Sequence, residues 1–180
     1  MLLEEWSKFK GWTILEFFLA NDAKIHLKGL ARKLKVSPRT AQIYLKLYKH
    51  EGILQSESIG NMILYSISDT FITREFKKAY FLMSVKKHIS TFLNDNKGLT
   101  SLVLYGSHAG GRYDNKSDID FLAISQRKPL DLKALKEMES KSGKEVRIEV
   151  YSVGEWRKME KSDFYISVLK NNVLLYGAEI

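Results

Sequence analysis

The sequence predicts an α+β protein in two parts, and three observations carry that expectation. Before residue 70, apolar residues recur at helical spacing and then give way to a strand, a turn and a second strand. From residue 98, short apolar runs of strand length alternate with helical stretches, and 70–97 between them reads as one connecting helix. Charge follows the same division. Residues 1–97 carry 16 Lys/Arg against 9 Asp/Glu, a net of +7, whereas 98–180 carry 13 against 12, a net of +1. A basic part joined to a near-neutral part predicts two tasks, the first involving a polyanion. The boundaries expected are therefore 1–69, 70–97 and 98–180.

Composition narrows the classes. The 180 residues are 44% hydrophobic and 28% charged, as in folded globular chains. With no cysteine, disulfides, thiolate metal centres and a thiol nucleophile are excluded. No apolar run approaches the ~18 residues of a membrane span, and the pattern of a signal peptide is missing. The expectation is a soluble, cytoplasmic protein with no membrane partner.

Trp12 to Leu19 is densely apolar and predicts a core helix, broken by Asn21-Asp22. Leu27, Leu30, Ala31 and Leu34 then fall at i, i+3, i+4, i+7, the stripe of an amphipathic helix ending by Val36. Ser37-Pro38 supplies an N-cap and a proline at the first helical position. The helix it starts runs to about Glu51. It carries Ala41, Tyr44, Leu45 and Tyr48 on one face, and Arg39, Thr40, Gln42, Lys46 and Lys49 on the other. Gly52 closes it as a C′ glycine, and Ile53-Leu54, Gly60-Asn61 and Met62–Ile67 read as a hairpin.

Helix, helix, short turn, helix and hairpin, with LKGLARKLKVSPRTAQIYLKLYKHEGIL at its centre, resembles the winged helix-turn-helix family over roughly residues 10–68. In that family the helix after the turn enters the DNA major groove. The resemblance therefore implies double-stranded DNA as a partner. Ser37, Arg39, Thr40, Gln42, Lys46 and Lys49 would face it, with Gln42 or Arg39 on base edges or phosphate. The hairpin tip at 58–61 has little positive charge, so its contribution to DNA should be weak.

Asp69-Thr70 suits the cap of a helix from Phe71 to about Asn94. Ile72, Phe76, Ala79 and Met83 line one side of it, and Leu82, Val85, Ile89 and Phe92 another. A surface that wide needs two partners, either both parts of this chain or a second copy, which makes a homodimer an expectation. Residues 94–98 (NDNKG) have the composition of a linker.

The second part opens with the buried strand pattern LTSLVLY (99–105), followed directly by Gly106-Ser107. Asp118-Ile119-Asp120 leads into the apolar run Phe121–Ile124. Two acids at i, i+2 on a strand share a face and repel unless something neutralises them. A divalent cation does so, and Mg²⁺ favours carboxylate and phosphate oxygens together. A Gly-Ser turn at a strand end offers backbone N–H groups and a hydroxyl to phosphate.

Together, Gly106-Ser107 and Asp118-Ile119-Asp120 resemble the nucleotidyltransferase superfamily typified by DNA polymerase β, in particular its minimal branch, over roughly residues 85–180. The resemblance implies a mixed β-sheet with flanking helices and a third carboxylate on a later strand. Glu149, flanked by Ile148 and Val150, is the choice for that position, with Glu145 the alternative and Arg147 on the same face to hold a carboxylate or phosphate. It also implies two Mg²⁺ ions on Asp118, Asp120 and Glu149 as metal and catalytic residues. Gly106, Ser107 and Ser117 would hold an NTP, by default ATP, whose nucleoside monophosphate passes to a hydroxyl acceptor on a protein, small molecule or RNA. The chain departs from the branch's GSRARG: His108 and Gly110 stand where arginines are expected, and His108 reads either as a phosphate contact or as a surface residue. Two functions stay open. One is a DNA-binding nucleotidyltransferase of antitoxin-like kind; the other is a transcription regulator whose second part binds nucleotide without turnover.

Overall fold

The computed structural model describes residues 2–126 and 129–180. The chain forms two compact units, the first ending at Tyr80 and the second beginning at Phe81.

In the first unit, α1 (Leu2–Ser7) and α2 (Lys10–Ala20) precede a two-residue strand, β1 (Ile25–His26). Helices α3 (Leu27–Leu34) and α4 (Pro38–His50) follow, then strands β2 (Leu54–Ile59) and β3 (Met62–Ile67). The turn between α3 and α4 is set locally. Lys35 takes the left-handed conformation at the end of α3, and the Ser37 hydroxyl accepts the Thr40 N–H at the start of α4. β2 and β3 pair antiparallel from Leu54↔Ile67 to Ile59↔Met62. Their two-residue loop has positive φ at Gly60 alone, as a II′ turn requires. β1 adds to the far side of β3, giving the order β1-β3-β2. Two residues are too few for a strand pattern, so sequence reasoning missed β1, as it missed α1.

The helical stripes meet as their periodicity predicts. Ile14, Phe17 and Phe18 of α2, Leu30 of α3, Leu45 of α4 and Leu54 of β2 form one buried cluster. Each such side chain contributes roughly 1.5–3 kcal/mol by leaving water.

Helix α5 (Phe71–Asp95) starts in a reciprocal cap: the Thr70 and Thr73 hydroxyls each accept the other residue's N–H. Its first turns carry Phe71, Ile72 and Phe76 exposed; its later turns bury Phe81, Val85, Ile89 and Phe92 in the core of the second unit. The run 94–98 is not a free connection. Asn96 is buried, donates to the carbonyls of Phe92 and Asp131, and accepts the Asp131 N–H.

The second unit continues with β4 (Leu99–Tyr105), a four-residue helix α6 (Gly106–Ala109), β5 (Ile119–Ser125), α7 (Lys133–Ser142) and β6 (Val146–Tyr151). Helices α8 (Val153–Lys158) and α9 (Asp163–Lys170) and strand β7 (Asn172–Gly177) complete it. The sheet order is β6-β5-β4-β7, with β5 and β6 parallel and the other pairs antiparallel. One sheet face, with Leu102, Leu104, Phe121 and Ala123, packs on α5 and α7. The other, with Val103, Leu122 and Ile124, packs on Trp156 of α8 and Val168 of α9. A capping box between Ser152 and Glu155, which sequence reasoning overlooked, starts α8. No helix among the described residues is long and apolar enough to cross a membrane.

Asn96→Ala removes three side-chain hydrogen bonds and takes away the partners of the part-buried Asp131 N–H and carbonyl. We expect a loss of about 2 kcal/mol, read by urea denaturation followed through the buried Trp156.

Candidate functional site

The site of the second unit lies at one end of its sheet, where β4 finishes and β5 and β6 begin. The antiparallel pairing of β4 with β5 sets Tyr105 opposite Asp120, so the chain leaves β4 directly beside that carboxylate. Gly106 then turns with φ +74°, and a Cβ added there would meet Asp120 Oδ2 at 2.8 Å. The backbone conformation requires glycine, and a Cβ there would displace the Asp120 carboxylate. Ser107 follows, half-exposed, with its carbonyl accepting the Arg112 N–H.

Asp118 and Asp120 flank the buried Ile119, both half-buried. Burial holds the Asp120 carboxyl above the usual carboxylate range; Arg147 opposes this, and the neighbouring Asp118 and Glu145 reinforce it. The same environment pushes the Tyr105 hydroxyl up to about 12, chiefly by burial, with Asp120 and Glu149 adding to it.

The structure brings Asp118 and Asp120 together but does not bring Glu149 to them. In the parallel β5–β6 register, Asp120 stands opposite Arg147, and Glu149 stands two residues further on, opposite Leu122. Glu149 instead bears on Tyr151, whose hydroxyl burial and this carboxylate raise together. The Arg147 guanidinium reaches Asp118 Oδ2 at 2.8 Å through Nη2. Glu145 holds it in a fork, with Nε on Oε1 and Nη2 on Oε2, both at 2.9 Å. That pairing keeps the Glu145 carboxyl below its ordinary value and raises the Arg147 guanidinium above its own. The alternative acid of the sequence reading, Glu145, is thus in the network through Arg147.

Two further expectations change. The Ser117 hydroxyl donates to Asp114 Oδ1 at 2.8 Å and accepts the Asp114 N–H at 2.9 Å, so it folds the 114–117 loop. Lys144 Nζ closes the same loop on the carbonyls of Asp114 and Ser117. His108 is neither a surface residue nor a phosphate contact. It is buried, stacked on Tyr113 at 4.4 Å with a 5° interplanar angle, and packed 4.5 Å from Phe81.

The donor set can be weighed against two Mg²⁺ ions. Asp118 and Asp120 offer hard oxygen ligands suited to one such ion. A third acid is missing from the pair, and a fixed cation stands where it would be needed. Among the described residues, no group of three or more His, Asp or Glu is gathered to hold a metal. The residues present do not fit two ions.

In the first unit, α4 buries Ala41 and Leu45 and presents Arg39, Gln42, Lys46 and Lys49 to solvent, with Thr40 half-buried. The Ser37 hydroxyl is taken up by the Thr40 N–H and Thr40 hydroxyl, so Ser37 acts as a cap. Ile43 and Leu47, one turn apart, are exposed on the same face. Sequence reasoning passed over them. At the hairpin tip Ile59, Met62 and Ile63 are exposed, and Glu57 is paired with Lys24 at 2.8 Å.

A mixed sheet with a glycine turn closed on a strand-borne carboxylate pair defines a class, and the chain belongs to it. The family described as "Nucleotidyltransferase domain" matches residues 85–175, half of the chain, and this protein is a member of that family. No curated protein matches the sequence. Two solved structures are similar. One is a toxin–antitoxin crystallised with AMP-PNP, 19% identical, covering 52% of this chain and 74% of that one with a TM-score of 0.39. The other is described as a nucleotidyltransferase from Sulfolobus solfataricus, 22% identical, covering 61% and 91% with a TM-score of 0.38.

Gly106→Ala forces a side chain into a left-handed turn against Asp120. The conformational cost is about 1–2 kcal/mol, and a thermal melt should show it. Gly143→Ala carries the same backbone penalty in open space. It should cost comparable stability while leaving the carboxylate pair untouched.

Proposed function

We propose that the protein is a DNA-binding nucleotidyltransferase, taking an NTP in its second unit and double-stranded DNA on its first. The observation that carries the nucleotide reading is the closure of the Gly106 turn on Asp120. That turn offers backbone N–H groups and the Ser107 hydroxyl to the terminal phosphates, beside oxygens suited to the divalent cation that accompanies them. The substrate is therefore the NTP–cation complex, with ATP the default nucleotide. In the transfer, an acceptor hydroxyl oxygen bonds to the α-phosphorus and the bond to the pyrophosphate oxygen breaks. The hydroxyl proton passes to a carboxylate of the site, and Asp120 is the one that stands against the Gly106 turn. The acceptor is a protein, small-molecule or RNA hydroxyl.

DNA binding is supported by the order of α2, α3, α4 and the β2–β3 hairpin, which is that of a winged helix-turn-helix, and by the basic exposed face of α4. On that reading Arg39, Gln42, Lys46 and Lys49 meet DNA, and the protein is a regulator as well as a transferase. The ion pair between Arg147 and Asp118 favours a second reading, in which the nucleotide is held without turnover and governs DNA binding.

Incubation with α-³²P-ATP, Mg²⁺ and cell extract separates these. Transfer of label that disappears in Asp118→Asn/Asp120→Asn supports the transferase. Carboxylate-dependent binding of Mg-ATP without transfer supports the second reading, and the absence of both sinks the nucleotide site. For the first unit, Arg39→Ala/Lys46→Ala should lower DNA affinity. It should also flatten the slope of log affinity against log salt by about two, one for each phosphate contact removed. An unchanged slope would show that this face does not meet phosphate.

A further inference from the structure

The environment of Arg147 leads beyond the family reaction. Three facts define it. Register puts Arg147 directly beside Asp120 on the neighbouring strand. Its Nη2 lies 2.8 Å from Asp118 Oδ2. Glu145 grips it from the outer side with two hydrogen bonds of 2.9 Å, so the guanidinium is aimed at the carboxylate pair by a second residue. A bidentate fork of this kind fixes orientation as well as distance. The one other acid on this strand face, Glu149, is displaced by two residues, roughly 7 Å along the strand. A second divalent ion would therefore meet a fixed positive charge where it needs an oxygen ligand.

We propose that Arg147 stands in for the second divalent cation: the site takes a nucleoside triphosphate with one metal ion, and the guanidinium supplies the other positive charge to the phosphates. Glu145 is the positioning residue that keeps it there. Replacing a mobile ion with a tethered cation makes nucleotide binding depend on one metal-binding event. Glu145 and Asp118 engage Nε and Nη2, which leaves Nη1 to donate to phosphate oxygens. This inference rests on the nucleotide-site reading, and its test separates the two.

The experiment is a Mn²⁺ titration of the full chain, followed by electron paramagnetic resonance, with α,β-methylene-ATP as the probe. Wild type should bind one Mn²⁺ per chain with the analogue, and Arg147→Asp should bind two. Arg147 is exposed on the edge strand β6, so the variant leaves the core intact, and circular dichroism checks this. Arg147→Gln should still bind a single Mn²⁺, with analogue affinity reduced about tenfold. Glu145→Gln should reduce it by a smaller factor, because the fork loosens while the charge remains. Two ions in wild type would overturn the inference and leave the nucleotide site standing. One ion in both wild type and Arg147→Asp, or an unchanged affinity in Arg147→Gln, would also overturn it. No binding of Mn²⁺ with the analogue to any form would overturn the nucleotide reading itself.

Discussion

The second unit depends on a repulsion. Asp118 and Asp120 are forced to one end of the sheet because Ile119 between them is buried, and alternate residues of a strand must share a face. Nothing in the apolar core beneath relieves their charge. The arrangement around them can be understood as the response. The chain leaves β4 through a glycine, which leaves the Asp120 carboxylate room that any side chain would fill. An arginine on the adjacent strand gives Asp118 an ionic partner, while Asp120 keeps an elevated carboxyl. Burial is the chief cause of that elevation, with Asp118 adding to it against Arg147, and a desolvated carboxylate is what a cation-bearing ligand can stabilise.

Much of this was legible from local pattern. The strand 99–105 ends where LTSLVLY predicts, and the helix from Pro38 begins at the Ser-Pro signal. The amphipathic stripes of α3 and α4 turn the residues that their spacing nominates toward the core, with Leu30 and Leu45 buried and Leu27, Leu34, Tyr44 and Tyr48 half-buried against them. Local pattern failed where the answer lay in register. Apolar-acid-apolar at 148–150 is as good a strand motif as the apolar-base-apolar at 146–148. Only the pairing of β5 with β6 decides which residue stands beside Asp120. Composition misled in the same way at 94–98: a polar run resembles a linker until Asp131, 35 residues away, supplies partners for Asn96. His108 is a third example, since a polar residue in a glycine-rich turn gives no local sign that Phe81 and Tyr113 will enclose it.

The first unit divides its surface between two chemistries. Basic side chains gather on α3 and α4, at Arg32, Lys33, Lys35, Arg39, Lys46 and Lys49, and each of these is exposed. The hairpin tip instead shows Ile59, Met62 and Ile63. On the proposed reading, phosphate attraction comes from the helices, and the tip adds little charge. Ile43 and Leu47 then have a place as well. Beside Gln42 and Lys46 on α4, they offer the apolar contact that thymine methyl groups can meet in a major groove.

The two sites obey one electrostatic logic at different depths. On α4 the charges are exposed and mobile, so their effect on a polyanion is long-ranged, additive and weakened by salt. At the sheet end the arginine is held by two hydrogen bonds to the exposed Glu145 and an ion pair to the half-buried Asp118, so its effect is short-ranged and directional. A cation of the first kind gathers a partner; one of the second kind positions it. Arg147 therefore constrains the chemistry more than any of the basic residues of the first unit. It is tethered to the backbone and orientated before any ligand arrives, which a diffusible metal ion is not. The gain is preorganisation. The loss is the hydroxyl-activating power of a second divalent ion, which a guanidinium lacks because it cannot lower the pKa of a bound hydroxyl in the same way. On the proposed transferase reading, activation of the acceptor hydroxyl is then left to the carboxylates of the site.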